Sequence, residues 1–510
     1  MPIRRVMIAA LFLPAAAAAQ APLSAIDWLN DRGPSVRHGP VLTEPPVSVN
    51  ARQPRIDVLP LEALSQPVGL VAAEVTGLPV DLWAASEART LAQLIATAPV
   101  QDSPAMQTLL YTLLLSETRP PAGAAAAETL LLARLDRLLE LGATDAAQEL
   151  AQQAGPTANP ARFARWFDAT LLTGDEDRSC AALNAEPRLA PGYGALIFCG
   201  ARGGDWETAA LTLEIAHALE LLNPDQMALL DRFLSPDIFE DAPPLPAPDD
   251  PDPLTFRLYE TIGERLPTAS LPRAFATADL RDIAGWKAQL EAAERLARIG
   301  ALSPNRLLGL YTERLPAASG GIWDRVAALQ RFETALGTGS AEAVTKTLPV
   351  VWQAMREAGL EVAFAALFAE DLAKRPLTDP AAADLAWRIR LLSPHYEDAA
   401  DSAPAKTPGN AFLTGLTHGA PQLDLAPSPS AEAIAEGFGD AAELPPDVQQ
   451  ALDRGELGVA ILKAIAHFES GARGNPGDLT GALATFRRLG LEDTARRAAL
   501  QLMLLEPGGT

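Results

Sequence analysis

Helical periodicity dominates the pattern of apolar and polar positions from residue 83 onward. Four leucines recur at the i, i+4, i+7 and i+8 spacing of one buried helix face: Leu131, Leu135, Leu138 and Leu139. Gly142 follows this stripe as a candidate C-terminal cap, because glycine readily adopts the left-handed conformation that ends many helices. Similar stripes end at Gly300 and Gly337, and we expect a helix end at each of these glycines.

The segment that begins at Asp205 carries two apolar stripes instead of one. Asp205 can cap the helix through its carboxylate. The first stripe comprises Trp206, Ala210 and Leu213. The second stripe comprises Leu211, Ile215, Ala218 and Leu222. Because both faces are apolar, we expect this helix to lie between two neighbouring helices.

Prolines divide the chain into segments. Nine prolines between positions 22 and 79 prevent a sustained helix near the N-terminus, and residues 235–253 are rich in Pro and Asp. The predicted organisation is a signal peptide (1–19), an extended N-terminal arm (20–82), a first helical array (83–234), a Pro/Asp-rich linker (235–253), a second helical array (254–399), a second linker (400–430) and a C-terminal helical group (431–510).

Short glycine turns join the amphipathic helices. They lie at residues 141–143, 299–301, 358–360 and 489–491. In each turn a glycine precedes an apolar residue, as tight helix-to-helix turns require. Aromatic residues are only 5% of the chain, which favours close-packed helices over a β-sandwich. Because the turns are irregularly spaced, the predicted fold is all-α: an irregular, tetratricopeptide-like α-solenoid of helical hairpins with an extended Pro-rich N-terminal arm.

The first residues have the layout of a cleavable secretory signal. Arg4 and Arg5 precede an apolar run over residues 6–13, which is followed by Pro14 and an alanine-rich stretch that ends at Ala19. We place the cleavage site after Ala19 and expect a periplasmic or secreted protein. No second long apolar run follows in the sequence, so we expect no transmembrane segment.

The charge balance argues against nucleic acid as a partner. The chain carries 41 Lys and Arg against 64 Asp and Glu, a formal net charge of −23. Such a surface repels the phosphates of nucleic acids and anionic lipid headgroups. We expect the acidity to serve solubility before it serves the binding of basic partners.

Cys180 and Cys199 are the two cysteines of the chain. In an oxidising compartment an even pair predicts a disulfide, and free buried thiols are the alternative. Two cysteines without nearby histidines cannot form a tetrahedral metal site. Closing a loop of this size would contribute about 3 kcal/mol in the chain-entropy model.

Motifs for cofactors and metals are missing from the sequence. The five histidines are His38, His217, His395, His418 and His467. No two of them stand at the i, i+4 spacing that would place paired ligands on one helix face. No GxSxG elbow, P-loop or GxGxxG segment is present either. We therefore expect neither a cofactor nor a bound metal.

One candidate catalytic residue is Glu469. The sequence His467-Phe468-Glu469-Ser470 resembles the Glu-Ser pair of soluble lytic transglycosylases, periplasmic enzymes that also carry an α-superhelical domain. A single glutamate can protonate a glycosidic oxygen if burial raises its pKa. The Gly-rich and aromatic sequence that follows the pair in those enzymes is missing here, which argues against this activity.

Residues 311–325 combine aromatic, charged and glycine residues in one short segment. Its candidate partner-binding residues are Tyr311, Glu313, Arg314, Trp323 and Arg325. Tyr, Trp and Arg dominate interface hot spots. Gly320 and Gly321 would leave backbone N–H groups free to bind an anion or a partner's carboxylate. The alternative is a turn between hairpins, with Trp323 packed into the stack.

Four segments resemble a group of uncharacterised secreted helical proteins of alphaproteobacteria. They read APLSAIDWL from residue 21, VTGLPVDLW from residue 75, CGARGGDWETAALTLE from residue 199 and YTERLPAASGGIWDRV from residue 311. The resemblance implies no activity. We expect a periplasmic, non-catalytic binding or scaffolding protein of the cell envelope, whose ligand is a protein, a peptide or cell-wall glycan. The alternative is a peptidoglycan-cleaving enzyme that uses Glu469.

Overall fold

A computed structural model describes residues 66–505, which fold almost entirely as helices and connecting turns. The predicted signal peptide and the part of the arm before residue 66 lie outside the described residues. Within them, extended pairing is limited to two isolated bridges, one between Val68 and Thr118 and one between Val71 and Ser116. None of the described helices has the length and apolar character that a membrane span requires. The all-α prediction is confirmed.

Twenty-five α-helices occur between residues 66 and 505. Helices α1 to α9 are Ala73–Thr76, Ala88–Thr97, Pro104–Leu115, Ala124–Leu141, Thr144–Gln153, Pro160–Thr173, Glu176–Ala185, Tyr193–Arg202 and Trp206–Ala218. Helices α10 to α17 are Pro224–Leu234, Pro253–Thr261, Ala276–Asp279, Trp286–Ala297, Pro304–Thr312, Ile322–Thr338, Ala341–Ala358 and Glu361–Ala373. Helices α18 to α25 are Pro380–Leu391, Tyr396–Ala399, Pro408–Thr417, Pro429–Gly437, Pro446–Asp453, Leu457–Ala472, Pro476–Arg488 and Glu492–Leu505.

Nine of these helices begin with a proline that directly follows a polar capping residue. The caps are Ser103, Asn159, Asn223, Asp252, Ser303, Asp379, Thr407, Ser428 and Asn475. In each case the side-chain oxygen accepts a hydrogen bond from the backbone N–H of the third helical residue. Proline suits the first position because its missing N–H would have no partner inside the helix. The prolines that limit helix length therefore also fix where helices start.

Glycines end several helices, as the sequence predicts for Gly142. Gly142 follows α4 with a φ of 82°. A Cβ atom there would lie 2.6 Å from Cδ2 of Leu296, so the close approach of α13 also requires glycine. The helix end expected at Gly337 is wrong. Helix α15 continues through that position and ends at Thr338; Gly339, with a φ of 72°, follows it directly before Ser340 caps α16.

The first and last helices of the described chain pack against each other, α3 against α25 and α2 against α23. The N–H of Ala105 donates to Oε1 of Gln501 at 2.7 Å. The N–H of Gly458 donates to the carbonyl of Leu82 at 3.2 Å. A Cβ atom at Gly458 would lie 2.3 Å from the ring of Trp83. The C-terminal helical group therefore shares one hydrophobic core with the first helices.

A second hydrophobic core lies mainly within helices α13 to α18. Three aromatic rings in tilted contact mark its centre: the ring centroids of Phe332 and Phe364 lie 5.3 Å apart, and those of Phe364 and Phe368 lie 4.9 Å apart. The first core includes Phe256, Tyr259, Leu271 and Phe275, from the stretch that the sequence assigns to the second array. The division of the chain into two arrays stays a prediction.

The segment predicted as the Pro/Asp-rich linker is anchored to the helices on both sides of it. Nη2 of Arg232 donates to the carbonyl of Pro243 at 2.6 Å. The hydroxyl of Tyr259 donates to the carbonyl of Pro246, also at 2.6 Å. The second predicted linker, residues 400–430, contains helix α20. Both segments are therefore ordered parts of the helical structure.

A buried network of ion pairs joins α7, α8 and α11 to the chain after α12. The carboxylate of Glu176 is fully buried and lies 2.6 Å from Nη2 of Arg257 and 3.2 Å from Nη1 of Arg202. Arg257 also pairs with Glu260, which accepts from Nη2 of Arg281 at 2.7 Å. Because each buried charge has a partner, the network fixes the mutual positions of these helices.

Replacing Gly458 by alanine tests the packing of the first helices on the last. We expect Gly458→Ala to destabilise the protein by about 1–3 kcal/mol, because the added methyl group has to displace the ring of Trp83. Gly309→Ala in α14 is the matched control. Its Cβ position is open, so alanine there should stabilise the fold by about 0.5–1 kcal/mol. Urea unfolding followed by circular dichroism measures both variants, and equal effects would contradict the packing.

Candidate functional site

The predicted disulfide lies in the two helices that precede α9. The sulfur atoms of Cys180 and Cys199 are 1.99 Å apart, and both residues are buried. The bond joins α7 to α8, and α8 packs against α9. Helix α9 therefore packs against a helix, α8, that is covalently joined to α7.

The described histidines do not form a metal centre. Among residues 66–505, no group of three or more His, Cys, Asp or Glu side chains is placed to hold a metal ion. His467 instead lies between two carboxylates, 2.9 Å from Oδ1 of Asp447 and 2.9 Å from Oδ1 of Asp478. These contacts tie α23 to α22 and α24, so His467 has a structural role there.

Glu469 lies in α23 and lines a cavity of about 310 Å³ where the first and last helices meet. We call it the Glu469 cavity. Its lining comes from the start of α3, from α23 and from α25: Asp102, Ser103, Pro104, Phe468, Glu469, Ala472, Arg473, Ala498, Gln501, Leu502 and Leu505. Glu469, the candidate catalytic acid of the sequence analysis, therefore lies within the contact between the first and last helices.

Burial controls the charge of Glu469. Glu469 is 2% exposed, and its Oε1 has no hydrogen-bond partner among the described residues. Oε2 lies 3.7 Å from Nη2 of Arg473. Burial, and then the charge of Asp102, raise the pKa of Glu469 to about 7 against the smaller opposing effect of Arg473. A neutral carboxylic acid is thus the favoured form below neutral pH.

The Glu-Ser pair does not act as a unit. The Ser470 hydroxyl donates to Oδ2 of Asp478 at 2.5 Å, and Ser470 does not line the Glu469 cavity. The hydrogen bond from Ser470 lowers the pKa of Asp478. Partial burial opposes this effect, and His467 adds to it. Glu469 and Ser470 therefore face different neighbours, and only Glu469 has the environment of a general acid.

Two of the five candidate partner-binding residues, the buried Tyr311 and the partly buried Arg325, contact Glu294. Tyr311 is fully buried, and its hydroxyl donates to Oε1 of Glu294 at 2.5 Å. Arg325 pairs with both carboxylate oxygens of Glu294 at 2.7 Å. The sequence gives no sign of this arrangement, because Glu294 lies in α13, 17 residues before Tyr311 and 31 before Arg325. The Tyr311 hydroxyl and the Arg325 guanidinium are therefore both engaged by Glu294 within the fold.

The other three candidates are more accessible. Glu313 and Arg314 form an exposed ion pair with each other at 2.8 Å. Trp323 is partly buried, with its ring 5.2 Å from that of Trp286. The N–H of Gly320, which the sequence suggests is free, donates to Oδ1 of Asp324 at 3.0 Å. Partner binding by this segment stays a prediction, restricted to its exposed side chains.

Helix α9 presents an apolar row to solvent. Leu211, Ile215 and Leu219 follow one another on consecutive turns and are 59%, 45% and 63% exposed. The opposite face is buried. Helices α8 and α10 both pack against α9, as expected of a helix with two neighbours. The second apolar stripe is nevertheless exposed at Leu211, Ile215 and Ala218. We call the exposed row of Leu211, Ile215 and Leu219 the α9 surface.

Carboxylates lie beside the apolar row of the α9 surface. Glu207, Glu214 and Glu220 are exposed, and none of them forms an ion pair with another described residue. Helix α9 contains no Lys or Arg. The surface therefore combines exposed apolar side chains with negative charge that no ion pair compensates. From the apolar pattern alone, the sequence predicts a buried helix here.

Replacing Glu469 by glutamine tests its environment. A raised pKa means that the folded chain binds the proton more tightly, so wild-type stability falls as pH rises from 4.5, the ordinary glutamate value, to about 7. Glutamine cannot ionise. We expect Glu469→Gln to gain about 3 kcal/mol relative to wild type between pH 4.5 and pH 8. Urea unfolding at several pH values measures this, with the exposed Glu333→Gln as control, and parallel profiles for all three proteins would contradict it.

The buried Tyr311–Glu294–Arg325 contact predicts a loss of stability on truncation. Arg325→Ala leaves the buried carboxylate of Glu294 without its cation, so we expect a destabilisation of about 3 kcal/mol. Arg314→Ala, in the same segment but exposed, should change stability by less than about 0.5 kcal/mol. Urea unfolding measures both. Similar losses for the two variants would show that the contact is not specific.

Comparisons of the chain with protein-family models, with curated proteins and with solved structures find no match. The resemblance to secreted helical proteins of alphaproteobacteria therefore stays a prediction. What the protein does has to be inferred from its own residues. Among those described, the α9 surface and the Glu469 cavity are two places whose chemistry goes beyond what packing requires.

Proposed function

We propose that this protein is a periplasmic, non-catalytic binding or scaffolding protein of the cell envelope, and that its α9 surface holds a partner protein or peptide. The observation that carries the proposal is the exposed row of Leu211, Ile215 and Leu219. Single exposed apolar residues are common on soluble proteins, whereas a row along one helix face is typical of an interaction site.

The energy available at this row suits reversible binding. Covering three half-exposed aliphatic side chains contributes roughly 2–4 kcal/mol, before any contribution from charge or hydrogen bonds. A row at i, i+4 and i+8 is also the pattern that an amphipathic helix of a partner can pack against. A helical partner segment therefore fits the α9 surface in both energy and geometry.

Other features support a role in the envelope. The N-terminal sequence has the layout of an export signal, and a disulfide is typical of proteins that mature in an oxidising compartment. Solenoid-like helical proteins commonly present extended surfaces to protein ligands. The disulfide-tied pair α7 and α8 gives the α9 surface a rigid base, and a preformed surface lowers the entropy lost on binding.

A second candidate function is the cleavage of cell-wall glycan with Glu469 as the general acid. The observation that favours it is the pKa of about 7, because an acid with such a pKa can both hold and release a proton near neutral pH. The burial of Glu469 opposes it. A general acid has to reach the oxygen that it protonates to within about 3 Å, so this activity requires α3 and α25 to separate.

Capture from envelope extract tests the first candidate. The mature protein is immobilised as wild type, as Leu211→Gln/Ile215→Gln and as Leu423→Gln, which alters a similarly exposed side chain far from α9 in sequence. We expect the double variant to lose its partner by about tenfold or more, the effect of removing about 1.4 kcal/mol of contact, while the Leu423 variant retains it. Melting temperatures, which should agree within about 2 °C, exclude unfolding as the cause.

A peptidoglycan-clearing assay tests the second candidate on the same preparations. Clearing by wild type that is lost in Glu469→Gln would support the enzyme. Retained clearing in that variant would remove Glu469 from the reaction, and no clearing by wild type would leave the binding function alone.

A further inference from the structure

We propose that the partner segment is a basic amphipathic helix, which packs its apolar face on the α9 surface and directs lysine or arginine side chains to the carboxylates around it. This inference rests on the proposed function and names the chemistry of the partner. It assigns to part of the protein's acidity a role in binding as well as in solubility.

Negative charge is concentrated around α9. Residues 203–256 contain twelve Asp and Glu but a single basic residue, Arg232, whereas the whole chain has a net charge of −23. Nearly half of the excess negative charge thus lies in about a tenth of the chain. Arg232 is itself paired with Glu264 at 2.7 Å. A basic ligand therefore meets a net negative segment whose one basic residue is already paired with a carboxylate.

The carboxylates of α9 lie beside the apolar row. Glu207 is one turn before Leu211, and Glu214 is one turn after it, so both are helical neighbours of the same leucine. Glu220 follows directly after Leu219. A partner helix seated on the row would therefore bring its flanking side chains within reach of these carboxylates.

A cavity continues the acidic surface past the end of α9. It has a volume of about 340 Å³, and its lining includes Asn223, Asp225, Asp252 and Tyr259. Burial raises the pKa of Tyr259, and the nearby charges of Glu264 and Asp225 add to the rise. The cavity is large enough for the end of a lysine or arginine side chain.

Charge also decides against other occupants of the surface. A second copy of the chain would place one acidic α9 against another, with like charges at close range. An anionic membrane surface would be repelled in the same way. A basic helix is the occupant whose charge and apolar pattern both match.

Two synthetic helical peptides test the proposal by fluorescence anisotropy with the full mature protein. Both carry leucines at i, i+4 and i+8; one has lysines and the other glutamates at the flanking positions. We expect the basic peptide to bind at least about tenfold more tightly than the acidic one. Its affinity should fall by about tenfold when salt rises from about 50 to 300 mM, because the exposed carboxylates are screened.

Variants of the protein separate the two contributions. Leu211→Gln/Ile215→Gln should weaken the basic peptide about tenfold, and Glu207→Lys/Glu214→Lys should weaken it similarly while strengthening the acidic peptide. Glu333→Lys, an exposed substitution in α15, should have no effect. Equal binding of the two peptides, or a complex insensitive to salt and to Glu207→Lys/Glu214→Lys, would overturn the proposal.

The outcomes also distinguish this inference from the proposed function. Capture of an envelope partner that depends on Leu211 and Ile215 but not on Glu207 and Glu214 would keep the binding function and overturn the basic helix. Equally tight binding of wild type to phosphatidylcholine vesicles would assign the surface to lipid and overturn both. Dimerisation that is abolished by Leu211→Gln/Ile215→Gln, without peptide binding, would assign it to a second copy.

Discussion

The packing of the first described helices against the last ones is the contact on which the rest of the fold depends. It joins residues separated by 396 positions, with the N–H of Ala105 bonded to Gln501 and the ring of Trp83 seated on Gly458. Contacts so distant in sequence carry the entropy cost of closing a long loop, so they form only when many apolar groups are buried together. The first hydrophobic core provides that burial, since α2 and α3 share it with α23 and α25.

Two acidic environments of the molecule illustrate how location decides the role of a carboxyl group. Glu469 lies inside the contact between the first and last helices, where low polarity favours its neutral form. Glu207 and Glu214 lie in solvent on α9, where water stabilises the charged form. Only exposed carboxylates such as those of α9 attract cations over a distance. The high count of Asp and Glu therefore says little about function until their positions are known.

Local sequence signals predict local structure well and long-range structure poorly. The cap at Gly142 and the pairing of Cys180 with Cys199 follow from residue chemistry, and polar residues before proline could have located nine helix starts. Periodicity identifies both apolar stripes of α9, but it cannot tell whether a neighbour exists to cover the second. The contact of the Tyr311 hydroxyl with Glu294 joins two different helices, α14 and α13. The contact between α3 and α25 has no local signal.

The contact between the ends also limits how the architecture can grow. In an open helical array each terminal repeat exposes one side to water and needs a polar cap to stay soluble. Here the opening and closing helices shield each other, and α3 and α25 are apolar where they touch. We expect a hairpin inserted along the described helices to strain the contact between α3 and α25, so surface loops are the places where additions should be tolerated best.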